Sequence, residues 1–175
     1  MNREQFEHTV RAAGALLGIS EVLVIESQAL HANMSGALPD EASHSVEVDV
    51  AVFDDAEGRG ADVIDGSIGE ASMFHATFGY YAHGVAETTA VLPAGWRERL
   101  VRFQTPATSG VVAWCLEPHD LWVSKAIAGR EKDLDFCSAL VSLDVVERHE
   151  LTRRLAQVGS LDPRFRTLVQ ARIDR

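Results

Sequence analysis

Val22-Leu23-Val24-Ile25-Glu26-Ser27-Gln28-Ala29, followed some twenty residues on by Val46-Glu47-Val48-Asp49-Val50, is the part of the chain whose reading decides the fold. The first run is apolar, largely β-branched and too short for a helix, so Glu21 to Ile25 reads as a strand. It leads into Ser27, a residue suited to cap a helix from Gln28 to Met34. The second run alternates with period two, which gives its valines one face and Glu47 and Asp49 the other. Two carboxylates at i and i+2 project side by side, the usual way to grip a divalent cation beside a phosphate chain. The pattern therefore points to nucleotide chemistry. Taken alone, it also fits the solvated face of an ordinary strand, and Ser27 alone fits simple helix capping as well as phosphate binding at a strand-to-helix turn.

The rest of the chain builds outward from these two strands. Phe6, Val10, Ala13, Leu16 and Leu17 recur at helical spacing over Arg3 to Leu17, and Gly18 is a natural stop. Ser35 to Ser45, with Gly36 and Pro39, reads as a loop, and Ala61 to Ile68 as a short helix. Thr77 to Val91 reads as one or two strands turning at His83-Gly84, broken by Pro93-Ala94-Gly95-Trp96. Val111 to Leu116 is a further buried strand. Helices follow over Pro118 to Ala128 and Glu131 to about Val141, then two more with Asp144 and Asp162 as N-caps, the latter with Pro163 at the first helical position. The expected class is α+β: a small mixed sheet over residues 20–116, flanked by helices, and a helical part over 117–175. No repeat or linker divides the 175 residues, and 46% hydrophobic content suffices for one core, so a single domain is expected.

Composition excludes several functions. A formal charge of −10 argues against a generally adhesive nucleic-acid surface. The basic residues are nevertheless clustered, at Arg97, Arg99 and Arg102 and again from Arg148 to Arg175, while acids collect between Asp40 and Glu70. No uninterrupted apolar run is long enough to span a bilayer, and the acids and amides at the N-terminus do not resemble a secretory signal, so a cytoplasmic protein with no membrane partner is expected. Cys115 and Cys137 lie in a strand-like and a helix-like segment and read as reduced core thiols. The seven histidines form no HxH, HExxH or HxxxH pattern, which argues against zinc, and no GxSxG, P-loop or GxGxxG motif is present. Lys125, Arg130, Lys132, Asp133 and Asp135 fall close together on the two predicted helices. Their charges suit either a triphosphate site at the sheet edge or an exposed helix face.

Beyond these local signals, Ser27-Gln28-Ala29 and Glu47-Val48-Asp49 combine with three further stretches: Phe74-His75-Ala76-Thr77-Phe78-Gly79-Tyr80-Tyr81, Leu92 to Leu100, and Asp120 to Lys125 leading into Gly129-Arg130-Glu131-Lys132-Asp133. Jointly they resemble the minimal nucleotidyltransferase-fold proteins related to the AbiEii and MenT toxins, above all a domain family of otherwise unknown function. The resemblance covers about Val22 to Leu140. It implies a polymerase-beta-like sheet and metal-assisted transfer of a nucleoside monophosphate from a nucleoside triphosphate. Glu47 and Asp49 would hold Mg²⁺ or Mn²⁺, Ser27, Lys125 and Arg130 would bind the nucleotide, and Asp133 would match the late acid that completes the catalytic set. It further implies a tRNA or protein acceptor, with the arginines from Arg148 to Arg175 as an RNA contact, and a cognate antitoxin.

The chain departs from that pattern in two places. The superfamily's Gly-Ser becomes Glu26-Ser27, and the first aspartate of Asp-x-Asp becomes Glu47. Glutamate can still bind a hard cation, but Glu26 adds a side chain and negative charge where a phosphate would approach. The alternatives are therefore a catalytically degenerate binding or regulatory module, and an antitoxin-like partner acting through its surface.

Overall fold

Helix α1 (Arg3–Leu17) forms because Asn2 and Gln5 make a reciprocal capping box and Gly18, left-handed at φ 67°, ends it as expected. In a computed structural model describing residues 1–175, this helix packs on a five-stranded sheet of order β3-β2-β1-β5-β4. The strands are β1 (Glu21–Val24), β2 (Glu47–Ala51), β3 (Tyr81–Gly84), β4 (Val101–Phe103) and β5 (Val112–Cys115). β1 runs antiparallel to β2 and parallel to β5; β2 is parallel to β3, and β4 is antiparallel to β5. The helices are α2 (Asp40–Ser43), α3 (Arg59–Ile68), α4 (Met73–Phe78), α5 (Pro118–Ala128), α6 (Glu131–Ser142), α7 (Arg148–Ala156) and α8 (Pro163–Ile173). The α+β class read from the sequence is the class observed, with a wholly helical end.

Several local expectations change. Ser27 is not an N-cap: Glu26 holds that position with extended backbone and no side-chain cap, and Ser27 opens a six-residue 3₁₀ turn ending at Ala32. The turn stops short of an α-helix where Asn33 ties back, its amide donating to the carbonyls of Ala29 and Leu116 at 3.0 and 3.3 Å. The Ser35 to Ser45 loop contains α2, one turn long. Thr77 and Phe78 belong to helix α4, capped by the Ser72 hydroxyl and ended by Gly79, so only Tyr81–Gly84 of that region is strand. Asp144 is left-handed at φ 52° and caps nothing; Glu147 occupies the cap position of α7. Asp162 and Pro163 start α8 as read, with the Asp162 carboxylate accepting from the Arg164 amide.

Two features fix the elements that carry the site. At β3, a Cβ on Gly84 would fall 2.1 Å from the Ala61 carbonyl oxygen, so only glycine lets α3 lie this close to the strand. At α5, Asp120 is fully buried, accepting from Arg99 Nε at 2.8 Å and from Arg154 at 2.8 Å, while the Trp122 indole donates to the Cys137 carbonyl at 3.0 Å. Those bonds pin α5 to α7, α6 and the segment before β4. One cluster of 37 buried apolar residues runs from Met1 to Ile173 beneath both the sheet and the C-terminal helices.

Candidate active site

The alternation in β2 does what the sequence suggests: Val48 and Val50 are buried, while Glu47 and Asp49 share the other face. The parallel register with β3 sets Glu47 opposite Tyr81 and Asp49 opposite His83. Each carboxylate thereby gains a cross-strand partner, for the Tyr81 hydroxyl donates to Glu47 at 2.8 Å and His83 Nδ1 lies 3.0 Å from Asp49. Burial, then the nearby charges of Glu26 and Glu47, push the Asp49 carboxyl up to about 6 against the opposing pull of His83. Burial and the Glu47 hydrogen bond hold the Tyr81 phenol protonated.

A second charged group comes from β1, α5 and α6. Lys125 is buried, and its ammonium donates to the Glu26 carboxylate and, at 3.1 Å, to Asp133. Asp133, with no side-chain exposure, also accepts from Arg130 at 2.6 and 3.0 Å. Burial alone would lower the Lys125 pKa, but Glu26 and Asp133 raise it above the ordinary lysine value. Burial alone would raise that of Asp133, but Arg130 and Lys125 hold it below the ordinary carboxylate range. A charged, solvated helix face is therefore not the explanation of Lys125 and Asp133. It does describe Asp135, which is exposed and outside the group.

The two groups face one cleft of about 840 Å³, whose walls include Ser27, Glu47, Asp49, Lys125 and Arg130. Asp133 does not line it; it lies behind Lys125 and orients that ammonium and the Arg130 guanidinium. Ser27 lines the cleft with its hydroxyl 3.5 Å from the Gln28 amide nitrogen. No three His, Cys, Asp or Glu side chains are arranged to enclose a metal by themselves. Glu47 and Asp49 nevertheless suit a hard cation in donor chemistry, because two carboxylates on one face of β2 border the same cleft and supply oxygen ligands.

A protein-family model described as a nucleotidyltransferase of unknown function (DUF6036) matches residues 18–165. The chain belongs to this nucleotidyltransferase family. No curated protein and no solved structure matches it. The matched span holds all five strands and every cleft residue named above.

Within this nucleotidyltransferase-family chain, several important groups escape a reading by motif. Tyr81 and His83 are partners of the carboxylates, signalled only by their own i, i+2 spacing, which becomes informative once β3 is known to pair in parallel with β2. Asp120 is structural, and its arginine partners lie 21 and 34 residues away. The C-terminal arginines are largely committed to the fold. Arg148, Arg166 and Arg172 donate to the carbonyls of Ile173, Val158 and Ala126, and Arg153 and Arg154 pair with Glu150. No helix is long and apolar enough to cross a membrane. Both cysteines are buried and unpaired, and burial pushes the Cys137 thiol up to about 12.

Proposed function

We propose that the chain is a metal-dependent nucleotidyltransferase that moves a nucleoside monophosphate from a nucleoside triphosphate to an RNA, such as a tRNA, or to a protein acceptor. We further assign it to the cytoplasm, as a toxin kept in check by a cognate antitoxin and akin to the AbiEii and MenT group. The observation that carries the reading is the pairing, in one cleft, of the Glu47 and Asp49 carboxylates on β2 with the Lys125 and Arg130 cations on α5 and at the start of α6. Acid and base groups arranged in this way match a polyphosphate with its counter-cation.

Glu47 and Asp49 would hold Mg²⁺ or Mn²⁺, and the bound cation would supply Lewis-acid neutralisation of phosphate charge. The Tyr81 and His83 contacts orient the two carboxylates before ligand arrives. Lys125 and Arg130, fixed from behind by Asp133, would supply positive charge to the phosphate chain. The Ser27 hydroxyl, on the cleft wall where β1 ends, would donate to a phosphate oxygen.

One observation favours a second reading, a degenerate binding module: the Glu26 carboxylate sits on Lys125 in place of a phosphate. Calorimetric titration with each of the four nucleoside triphosphates and Mg²⁺, on wild type and Glu47→Gln, tests the assignment. Saturable binding of at least one nucleotide, weakened about tenfold or more by the substitution, is expected. Binding that is indifferent to Glu47 would refute the assigned cation site.

A further inference from the structure

We propose that Glu26 is a gate on the phosphate side of this cleft: its carboxylate occupies the position on Lys125 that a ligand phosphate takes, and a polyphosphate enters by displacing it. The inference rests on the nucleotidyltransferase reading and adds a residue that decides how tightly the polyphosphate is held.

The two carboxylates on Lys125 are not equivalent. Asp133 is immobilised, with no exposure of its side chain and two further bonds from Arg130. Glu26 has Lys125 as its one side-chain partner, makes no side-chain cap bond to the turn it opens, and is about a quarter exposed at the cleft wall. Of the two, Glu26 is the one that can leave. An ammonium has three protons to donate, so a phosphate that takes the place of Glu26 leaves the Asp133 contact intact.

Charge gives the exchange its direction. Glu26 and Asp133 against Lys125 and Arg130 sum to zero, so this ion-paired group offers a phosphate no net charge while Glu26 is in place, and Lys132 is the remaining cation on that wall of the cleft. Once Glu26 lets go, its charge turns toward a side that already holds Glu47 and Asp49. The Ile25 amide beside it donates to the Asp49 carbonyl at 3.4 Å, so the β1 end and the β2 carboxylates are immediate neighbours. A displaced Glu26 is disfavoured there unless a cation has bound. The gate thus makes cation and polyphosphate binding cooperative, and a bare anion is excluded.

Calorimetric titration of the full chain with inorganic tripolyphosphate in Mg²⁺, and separately with Mn²⁺ alone, tests the gate in wild type, Glu26→Gln and Lys125→Met. Glu26→Gln is expected to bind tripolyphosphate about tenfold or more tightly, as befits removal of a competing charged hydrogen bond, and to bind Mn²⁺ several-fold more weakly. These opposite signs separate a gate from a structural residue, whose loss would weaken both. Added to Lys125→Met, the same substitution should give no gain. If Glu26→Gln does not fold, Glu26→Asp, which withdraws the charge by one methylene, should tighten tripolyphosphate binding in the same direction. Wild-type binding that Glu26→Gln fails to tighten would overturn the gate and leave the nucleotidyltransferase reading intact. An absence of tripolyphosphate binding in every variant would overturn both.

Discussion

Asp49→Asn should make the protein more stable while removing its capacity to hold a cation. The Asp49 carboxyl stands at about 6 in the fold against 3.8 for the free side chain, because burial and the charges of Glu26 and Glu47 disfavour ionisation. Between those two values the folded chain keeps a proton that the unfolded chain has released. Stability from this group therefore falls as pH rises from about 4 to 6, and the deficit persists above. A difference of about two pKa units corresponds to about 3 kcal/mol at pH 8. Asparagine abolishes that deficit but weakens the contact with His83, and with about 1 kcal/mol for an ordinary hydrogen bond the net gain is about 2 kcal/mol. In a chain of 175 residues this raises the melting temperature by roughly 4–8 °C. Thermal unfolding followed by circular dichroism in chelator, at pH 8 and pH 4, measures it: the gain should appear at pH 8 and vanish at pH 4. Adding Mn²⁺ at pH 8 should stabilise wild type and leave the variant unmoved. An Asp49→Asn protein no more stable than wild type at pH 8 would refute the claim that this carboxylate is held ionised against its environment for a ligand.

Asp120→Ala removes the buried acceptor that Arg99 and Arg154 share, while Arg154 keeps Glu150 and Arg99 keeps the Ala94 carbonyl, so the loss in urea unfolding should be about 3 kcal/mol, the low end for breaking a buried network from one side. A loss below about 1 kcal/mol would mean that the network does not hold α5. Cys115 and Cys137, buried with their thiols pushed up, should resist Ellman's reagent in the native protein and both react in guanidinium. Fast native labelling of either would contradict the packing around β5 and α6.

The elements that could be read from the chain were those whose pattern is local. α1 and α5 each show an apolar pattern bounded by a glycine stop or an opening proline, β2 shows period-two alternation, and the structure has all three within a residue or two of the expected ends. β4 could not be seen, because three residues are too few to show alternation, and its place at the sheet edge comes from pairing with β5. Thr77 and Phe78 have the β propensity of a strand, but the Ser72 cap and Gly79 stop turn them into helix. The Glu47 and Asp49 pair was legible because both carboxylates sit on one strand. The direction of Glu26 was not, since it is set by Lys125, 99 residues further along. The same holds for Asp133: its proximity in sequence to Lys125 marked it, yet only the packing of α6 on α5 shows that it orients the lysine from behind.

The most direct test of the central claim is transfer of label from each α-labelled nucleoside triphosphate, with Mg²⁺ or Mn²⁺, onto total tRNA, total protein or the chain itself, beside Asp49→Ala. A nucleotidyltransferase of the kind described labels one class of acceptor from at least one nucleotide, and the substitution abolishes the label. Folded wild-type protein that transfers none of the four to any acceptor, or transfers equally well without Asp49, would contradict it.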